Sequence, residues 1–410
     1  MDAQSQWTGL DAARLERIDD HLQRNYIGPQ KIAGCQVLVS RRGHQAYLKS
    51  FGSMDVERGK AMRDDAIFRI YSMTKPITSV ALMMLFERGY FQLNDPVSRY
   101  VPSWKNHRVW VSGEGEAMVT EAPRRPVTFR DVLCHTAGLT YGGGLPGVGV
   151  QHPIDLIYRG LKIRSAGSTD TMMEFMDKLS QVPLRYHPGE QWMYSLATDV
   201  CGALVEIISG KPLAQFFEEE IFQPLGMVDT AFQVAPDKLD RFCANYQRGP
   251  DKKLKLIDDP ATSQFTKEPG FKSGGGGLTG TIADYGRFCE MLRRGGELDG
   301  HRILGPRTLE IMHMNHLAGG KDLTQMALGS FSETANEGVG FGLGFASTMS
   351  QVATGSLGTG DYYWGGAAST IFWVDPKEDL FLVFMTQLMP SGTFNFRGQL
   401  KSLVYSAIID

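Results

Sequence analysis

The chain has 410 residues, of which 42% are hydrophobic and 21% are charged, and its formal net charge is −3. This composition is typical of a globular protein with a sizeable core, and the slightly negative charge argues against a nucleic-acid partner. No apolar run reaches the length of a transmembrane helix, and the N-terminal stretch is rich in acidic side chains, unlike a secretory signal. We therefore expect a cytoplasmic protein with no membrane partner.

The cysteines are widely separated and form neither a zinc-binding pattern nor a disulfide pattern. They are Cys35, Cys134, Cys201, Cys243 and Cys289. We expect buried thiols in a reducing compartment, and the sequence gives no signal for a metal or a cofactor. It assigns no oligomeric state.

The first predicted elements are an amphipathic helix over residues 10–23 and a strand hairpin. The two strands of the hairpin, residues 36–40 and 45–48, flank the turn sequence Arg-Arg-Gly-His.

A largely apolar helix follows, and it carries the first pair of chemically interesting residues. Pro76 fits only the first helical turn, so the helix must begin near Ser72 or Met73, and Gly89 ends it. Lys75, three residues after Ser72, shares its helix face. Desolvation and the positive helix end both disfavour a charged Lys75, which could then take the serine proton. A serine at this position can also simply cap the helix.

The middle of the chain predicts short helices and loops, at residues 128–135, 170–179, 195–209 and 213–222. The glycine-rich stretch 138–149 and the loop that continues to Gly167 are long for a plain connection. They are interpreted either as a loop that covers the substrate or as a surface loop.

In the last third of the chain, the glycines within 273–277 predict close backbone packing. The capping-box spacing of Thr281 and Asp284 then predicts the start of a helix. Strand patterns follow at 339–348, 362–374 and 380–387, and a helix closes the chain at 395–409. We therefore predict an α/β (α+β) fold with one domain built from residues 1–90 and 260–410 and a mostly helical domain inserted at 91–259.

Three short motifs stand in a suggestive order: Ser72-Met73-Thr74-Lys75, Tyr194-Ser195-Leu196 and Trp364-Gly365-Gly366-Ala367. They resemble, in order and spacing, the signature elements of the serine β-lactamase and penicillin-binding-protein superfamily. The chain looks most like the class C branch and its family VIII carboxylesterases. The segment that ends in His-Thr-Ala-Gly-Leu at 135–139 and the Pro-Leu-Gly-Met turn at 224–227 agree with this resemblance.

The resemblance implies a β-lactamase-like fold, with an antiparallel sheet flanked by helices, and an acyl-enzyme mechanism. It implies that Ser72 is the acylated nucleophile, that Lys75 and Tyr194 form the proton-transfer pair, and that the backbone N–H groups of Ser72 and Ala367 bind the oxyanion. Either a neutral lysine or a tyrosinate could be the base. No role remains for His135 or His187.

Two departures from the β-lactamase pattern concern the substrate. Trp364 stands where β-lactamases place a cation, and Leu196 stands where they place an asparagine. With Gly365, Gly366 and Trp192, these residues are expected to form a rather apolar substrate-binding site for a small, uncharged ester. We expect weak or absent β-lactam hydrolysis.

Three alternatives to a carboxylesterase remain open at this point. The same fold and motifs serve acyltransferases, and they also serve β-lactamases and D-amino-acid peptidases. The third alternative is a homologue without activity that binds a ligand or acts as a scaffold.

Overall fold

The computed structural model describes residues 7–143, 152–163, 167–328, 337–358 and 360–410. The predicted loop over 138–167 therefore lies partly outside the described residues. The strands, in chain order, are β1 Gly34–Arg41, β2 His44–Asp55, β3 Lys60–Ala61, β4 Ile67–Arg69, β5 Val109–Ser112, β6 Val119–Glu121, β7 Asn245–Arg248, β8 Leu254–Asp258, β9 Thr279–Thr281, β10 Glu297–Leu298, β11 His301–Arg302, β12 Val339–Phe341, β13 Ala346–Thr348, β14 Tyr362–Gly365, β15 Ile371–Asp375, β16 Leu380–Thr386 and β17 Leu388–Met389.

The α-helices span Ala12–Leu15, Arg17–Leu22, Thr74–Glu87, Phe129–Leu133, Pro153–Gly160, Met172–Ser180, Ala197–Ser209, Leu213–Phe217, Gln223–Leu225, Ile282–Arg293, Pro306–His313, Leu323–Met326, Gln351–Thr354 and Phe396–Tyr405. Single π-helical turns, Gln23–Ile27 and Glu218–Phe222, extend two of them.

Among the described residues, the largest sheet has eight strands in the order β12-β13-β14-β15-β16-β1-β2-β3. Every neighbouring pair in it is antiparallel. The central strands β15, β16 and β1 come from opposite ends of the sequence, so the two termini of the chain build one sheet. This confirms the predicted fold class.

Helices cover both faces of this sheet. Gly286, in the helix Ile282–Arg293, lies so close to β1 that an added Cβ would approach Leu38 Cδ2 at 2.6 Å. Phe396, in the C-terminal helix, packs its ring against that of Phe384 on β16, with centroids 4.9 Å apart. Phe384 pairs with Val37, the neighbour of Leu38, so the two helices lie on opposite faces. All of β1 is accordingly buried.

Most predicted elements are present, and two late strands differ from the prediction. The regions 339–348 and 362–374 are each two short strands joined by a turn rather than one strand. Gly344, at φ +101, permits the first turn, and Gly366 lies in the second. In 339–348 the alternation of larger residues with glycine continues across the turn, so the sequence alone did not reveal that turn.

Between residues 91 and 259, the structure adds the short strands β5 to β8 to the predicted helices. The division of the chain into two domains stays a prediction. All five cysteines are buried as free thiols, and burial raises the pKa of each.

Within the described ranges, no single helix has the length and apolar character needed to cross a membrane. One pair of helices separated by a sharp bend, Ala197–Ser209 and Leu213–Leu225, is long and apolar enough when the two are taken together, but only by length and composition.

Candidate active site

Ser72 lies in a single 3-10 turn, Tyr71–Met73, that leads directly into the helix Thr74–Glu87. The backbone of Tyr71 has φ +42, a left-handed conformation that residues other than glycine rarely adopt. Strain of this kind persists where neighbouring contacts hold the backbone. Here the Tyr285 hydroxyl donates a hydrogen bond to the carbonyl oxygen of Met73 at 3.0 Å. The turn thus fixes Ser72 at the positive end of the helix.

Lys75 lies one turn along the same helix, with only 2% of the residue exposed. Its Nζ lies 3.1 Å from Ser72 Oγ and donates to the carbonyl oxygen of Gly275 at 2.5 Å. Because a carbonyl oxygen only accepts, one proton of Lys75 points to Gly275 in either protonation state. Lys75 can therefore hold or exchange a proton at the Ser72 hydroxyl.

Tyr194 reaches the site from the loop before the helix Ala197–Ser209, as predicted. Lys75 Nζ lies 4.6 Å from the centroid of its ring. The Tyr194 oxygen accepts a hydrogen bond from the Trp364 indole N–H at 3.3 Å. The structure thus brings the three predicted catalytic side chains together, with Lys75 close to each of the other two.

The third predicted motif straddles the end of β14, with Trp364 and Gly365 in the strand and Gly366 and Ala367 in the turn that follows. A Cβ on Gly366 would lie 2.5 Å from the carbonyl oxygen of Ile70. Glycine therefore lets this turn lie directly against the segment that precedes Ser72. The role of the Ala367 N–H as an oxyanion donor stays a prediction.

Two residues predicted to bind substrate, Trp192 and Leu196, are each 1% exposed. The Trp192 ring stacks on the Tyr194 ring with centroids 6.1 Å apart. Leu196 is the N-cap of the following helix, and its amide donates to the Thr140 carbonyl at 3.3 Å. Both residues pack around Tyr194, and direct contact with substrate stays a prediction for them.

Asp199 is a buried carboxylate that sequence reasoning missed. Its Oδ1 accepts hydrogen bonds from Ser273 Oγ at 2.6 Å and from the Gly275 N–H at 3.0 Å. The same Gly275 peptide segment supplies the carbonyl that binds Lys75. Burial raises the pKa of Asp199, while Ser273, Lys75 and Gly275 act in the opposite direction. Asp199 therefore supports the Lys75 site through the glycine loop.

The predicted close packing of the glycine stretch 273–277 explains this arrangement. A Cβ on Gly275 would lie 2.6 Å from the Asp199 carboxylate, and one on Gly274 would lie 2.9 Å from the Thr198 carbonyl. The loop can thus pass between the helices that carry Lys75 and Asp199 because it has no side chains there.

Tyr141 is a second residue that the motifs did not identify. Its ring centroid lies 5.4 Å from that of Tyr194 and 5.8 Å from Lys75 Nζ. Burial raises the pKa of Tyr141 well above its ordinary value, and its hydrogen bond to Tyr194 adds to the increase. Tyr141 is therefore a phenol that keeps its proton beside the site.

The two histidines near the motifs have neighbours that suit structural roles. His135 is 1% exposed, its Nδ1 lies 3.2 Å from Ser195 Oγ, and burial lowers its pKa well below its ordinary value. His187 Nε2 lies 2.9 Å from a Glu121 oxygen. Across the described ranges, no group of three or more histidine, cysteine or acidic side chains could hold a metal ion.

This arrangement has the parts of a covalent acyl-transfer site. It contains a serine hydroxyl at a helix start, an amine within hydrogen-bonding distance, and a phenol whose oxygen accepts a hydrogen bond.

The chain is similar to known proteins along most of its length. A family model described as Beta-lactamase matches residues 19–405. The chain is 32% identical over 363 residues to "Protein Rv1367c" of Mycobacterium tuberculosis, covering 88% of this chain and 86% of that protein. It is 31% identical over 397 residues to "Esterase EstB" of Burkholderia gladioli, covering 93% of this chain and 91% of that protein.

Among solved structures, the chain is similar to one described as "EstCE1, a hydrolase with promiscuous acyltransferase activity". The TM-score is 0.76 at 27% sequence identity, and the match covers 97% of this chain and 99% of that one.

Proposed function

The chain belongs to the beta-lactamase family, and we propose that within this family of serine hydrolases it is a carboxylesterase for short- to medium-chain esters. The observation that carries the proposal is the 3.1 Å contact between Lys75 Nζ and Ser72 Oγ, in a buried site next to Tyr194. The similarity to Esterase EstB supports the same assignment.

In the proposed reaction, Ser72 Oγ attacks the ester carbonyl while its proton passes to the pair formed by Lys75 and Tyr194. The backbone N–H groups of Ser72 and Ala367 stabilise the oxyanion, a type of contribution commonly worth a few kcal/mol per donor. The pair then returns the proton to the departing alcohol. Water attacks the acyl-enzyme, and the acid is released.

The surroundings of the site favour an uncharged acyl group. Trp364 offers an indole where β-lactamases place a cation, and Phe341 packs edge-on against it with ring centroids 5.4 Å apart. Leu196 has no amide with which to bind a substrate amide. None of these side chains carries a charge that could pair with a carboxylate.

Acyl transfer to an alcohol is the second candidate function. It is supported by the similarity to EstCE1, whose description names promiscuous acyltransferase activity. The first half-reaction is the same, and the difference lies in whether water or another acceptor attacks the acyl-enzyme.

The test is intact-protein mass after brief exposure to a fluorophosphonate, together with turnover of p-nitrophenyl acetate and butyrate and of a chromogenic cephalosporin. We expect one adduct on the native chain, none on Ser72→Ala, and ester turnover that disappears with the adduct. When an alcohol is added as acceptor, we expect less of the new ester formed by acyl transfer than of the acid formed by hydrolysis. Cephalosporin turnover that equals ester turnover would favour the β-lactamase alternative, and absence of both adduct and turnover would favour an inactive homologue.

A further inference from the structure

The C-terminal helix, Phe396–Tyr405, packs against the face of β14 that points away from the active site. Successive side chains of a strand point to opposite faces, so Tyr363 points away from the site that Trp364 lines. The Arg397 guanidinium lies 4.3 Å from the centroid of the Tyr363 ring, and Lys401 Nζ lies 5.2 Å from it. These two cations, one helical turn apart, therefore contact β14 from behind the site.

Lys401 forms a buried ion pair with Asp361, the residue just before β14. Nζ lies 2.5 Å from Oδ2, and the two side chains are 3% and 0% exposed. Oδ1 of Asp361 has no hydrogen-bond partner among the described residues. Burial lowers the pKa of Lys401 although Asp361 acts in the opposite direction. The pair thus does not fully offset the cost of burying its charges, and apolar side chains in its place are often at least as stable.

The aromatic residues of β14 do not by themselves specify its register. Tyr362, Tyr363 and Trp364 are consecutive, so a shift by one residue would still bury aromatic rings on both faces of the strand. The same shift would turn Asp361 to the opposite face, away from Lys401. Both charges would then be buried without a partner, which is strongly destabilising. The ion pair therefore disfavours the shifted register.

We propose that the ion pair between Lys401 and Asp361 sets the register of β14, and that Lys401 is thereby a positioning residue for the active site. The register decides which ring faces Tyr194, and in the structure the Trp364 and Tyr194 ring centroids lie 5.4 Å apart. It also decides where the turn at Gly366 lies. The consequence for catalysis rests on the proposed function, whereas the effect on the strand does not.

The effect on the strand is tested without substrate in the double variant Lys401→Met/Asp361→Leu, which removes both charges and keeps apolar side chains in their place. We expect its denaturant midpoint to equal or exceed that of the native chain. Lys401→Met alone, which leaves Asp361 buried without its partner, should have a much lower midpoint. Hydrogen exchange of the backbone amides over 361–367, measured by mass spectrometry, should be about tenfold faster in the double variant, and exchange in β1 should stay native.

Tyr405→Phe is the matched control. Tyr405 belongs to the same helix, but its hydroxyl donates to the Asp375 carboxylate on β15 at 2.5 Å, so its loss leaves the ion pair in place. Exchange over 361–367 should stay native in this variant.

The consequence for catalysis is tested by turnover of p-nitrophenyl butyrate. Misplacement of the site strand by about 1 Å should lower kcat/KM of the double variant by about 10- to 100-fold, mainly through kcat. Tyr405→Phe should keep native kinetics. A loss of activity without a loss of stability is what a purely structural ion pair would not produce.

The outcomes separate this inference from the proposed function. Native exchange over 361–367 in the double variant would overturn the inference, even if esters are hydrolysed. A midpoint as low as that of Lys401→Met would also overturn it, because the pair would then act through stability. Faster exchange with native kcat/KM would overturn the positioning role. Faster exchange in a protein with neither ester turnover nor a fluorophosphonate adduct would support the role in register and reject the esterase assignment.

Discussion

Asp199 carries a carboxylate that is 0% exposed and lies in the first turn of the helix that follows Tyr194. Its Oδ1 has two donors, whereas Oδ2 has no hydrogen-bond partner in the part of the chain that the structure describes. A buried and incompletely paired carboxylate costs stability, so its presence calls for a functional explanation. Its negative charge balances Lys75 across the Gly275 peptide.

We expect Asp199→Asn to be more stable than the native chain at neutral pH and less active. Because burial raises the pKa of Asp199, its contribution to stability is present below the unfolded value of 3.8 and is lost as pH rises through the folded pKa. The gain in unfolding free energy should therefore appear near pH 7 and vanish in acid. Loss of the charge beside Lys75 should lower kcat/KM by roughly tenfold.

The unfolding free energy is measured by denaturant titrations between acid pH and pH 7, and activity is measured by turnover of p-nitrophenyl butyrate. Asp375→Asn is the matched control, because burial also raises the pKa of Asp375, and its hydrogen-bond donors are the Tyr405 hydroxyl and the amides of Lys377 and Glu378 rather than groups of the site. It should show the same pH dependence of stability with native activity. An Asp199→Asn variant that is destabilised at neutral pH, or fully active, would contradict this account.

At the residue scale, the motifs predicted Ser72, Lys75, Tyr194 and Trp364, and the structure brings these four side chains together. Asp199 and Tyr141 were not predicted. Asp199 could have been found as a lone carboxylate in the apolar start of the helix Ala197–Ser209, and Tyr141 as an aromatic residue within a glycine-rich stretch. Neither signal says which residue the side chain will meet, because that depends on how distant segments pack.

At the scale of elements, the turn between β14 and β15 depends on Gly366. A Cβ at this position would lie 2.5 Å from the Ile70 carbonyl oxygen and 2.3 Å from Thr370 Oγ1. We expect Gly366→Ala to displace the turn from the Ser72 segment and to lower kcat/KM by roughly 100-fold, as misplacement by about 1 Å can do.

Steady-state kinetics on p-nitrophenyl butyrate, with circular dichroism to confirm folding, measure this effect. Gly160→Ala is the control, since a Cβ there would meet nothing within 4 Å. It should keep native activity. A folded Gly366→Ala variant with native kcat/KM would show that the turn has no part in catalysis.

The elements themselves were predictable where a local rule fixes their ends. Pro76 and Gly89 bounded the helix Thr74–Glu87, and Thr281 caps Ile282–Arg293 by accepting from the Asp284 amide at 3.2 Å. The 3-10 turn at Ser72 with its left-handed Tyr71 was not predictable, because tertiary contacts impose that backbone conformation.

At the scale of the whole molecule, the chain termini meet in one sheet, and the site forms where that sheet adjoins the more helical middle of the chain. Ser72 comes from the 3-10 turn after β4 and Lys75 from the helix that follows it, whereas Trp364 comes from β14 and Tyr194 from the middle region. The family resemblance predicted this fold. Composition and periodicity could indicate only strands at both ends of the sequence, because strand order depends on long-range pairing.

The most direct measurement of the central claim is rapid-quench mass spectrometry of the intact protein during turnover of p-nitrophenyl butyrate. We expect a transient species heavier by one butyryl group, with the group located on Ser72 by peptide mapping and absent from Ser72→Ala. An acyl group on another residue, or butyrate release that persists in Ser72→Ala, would contradict the assignment of Ser72 as the nucleophile.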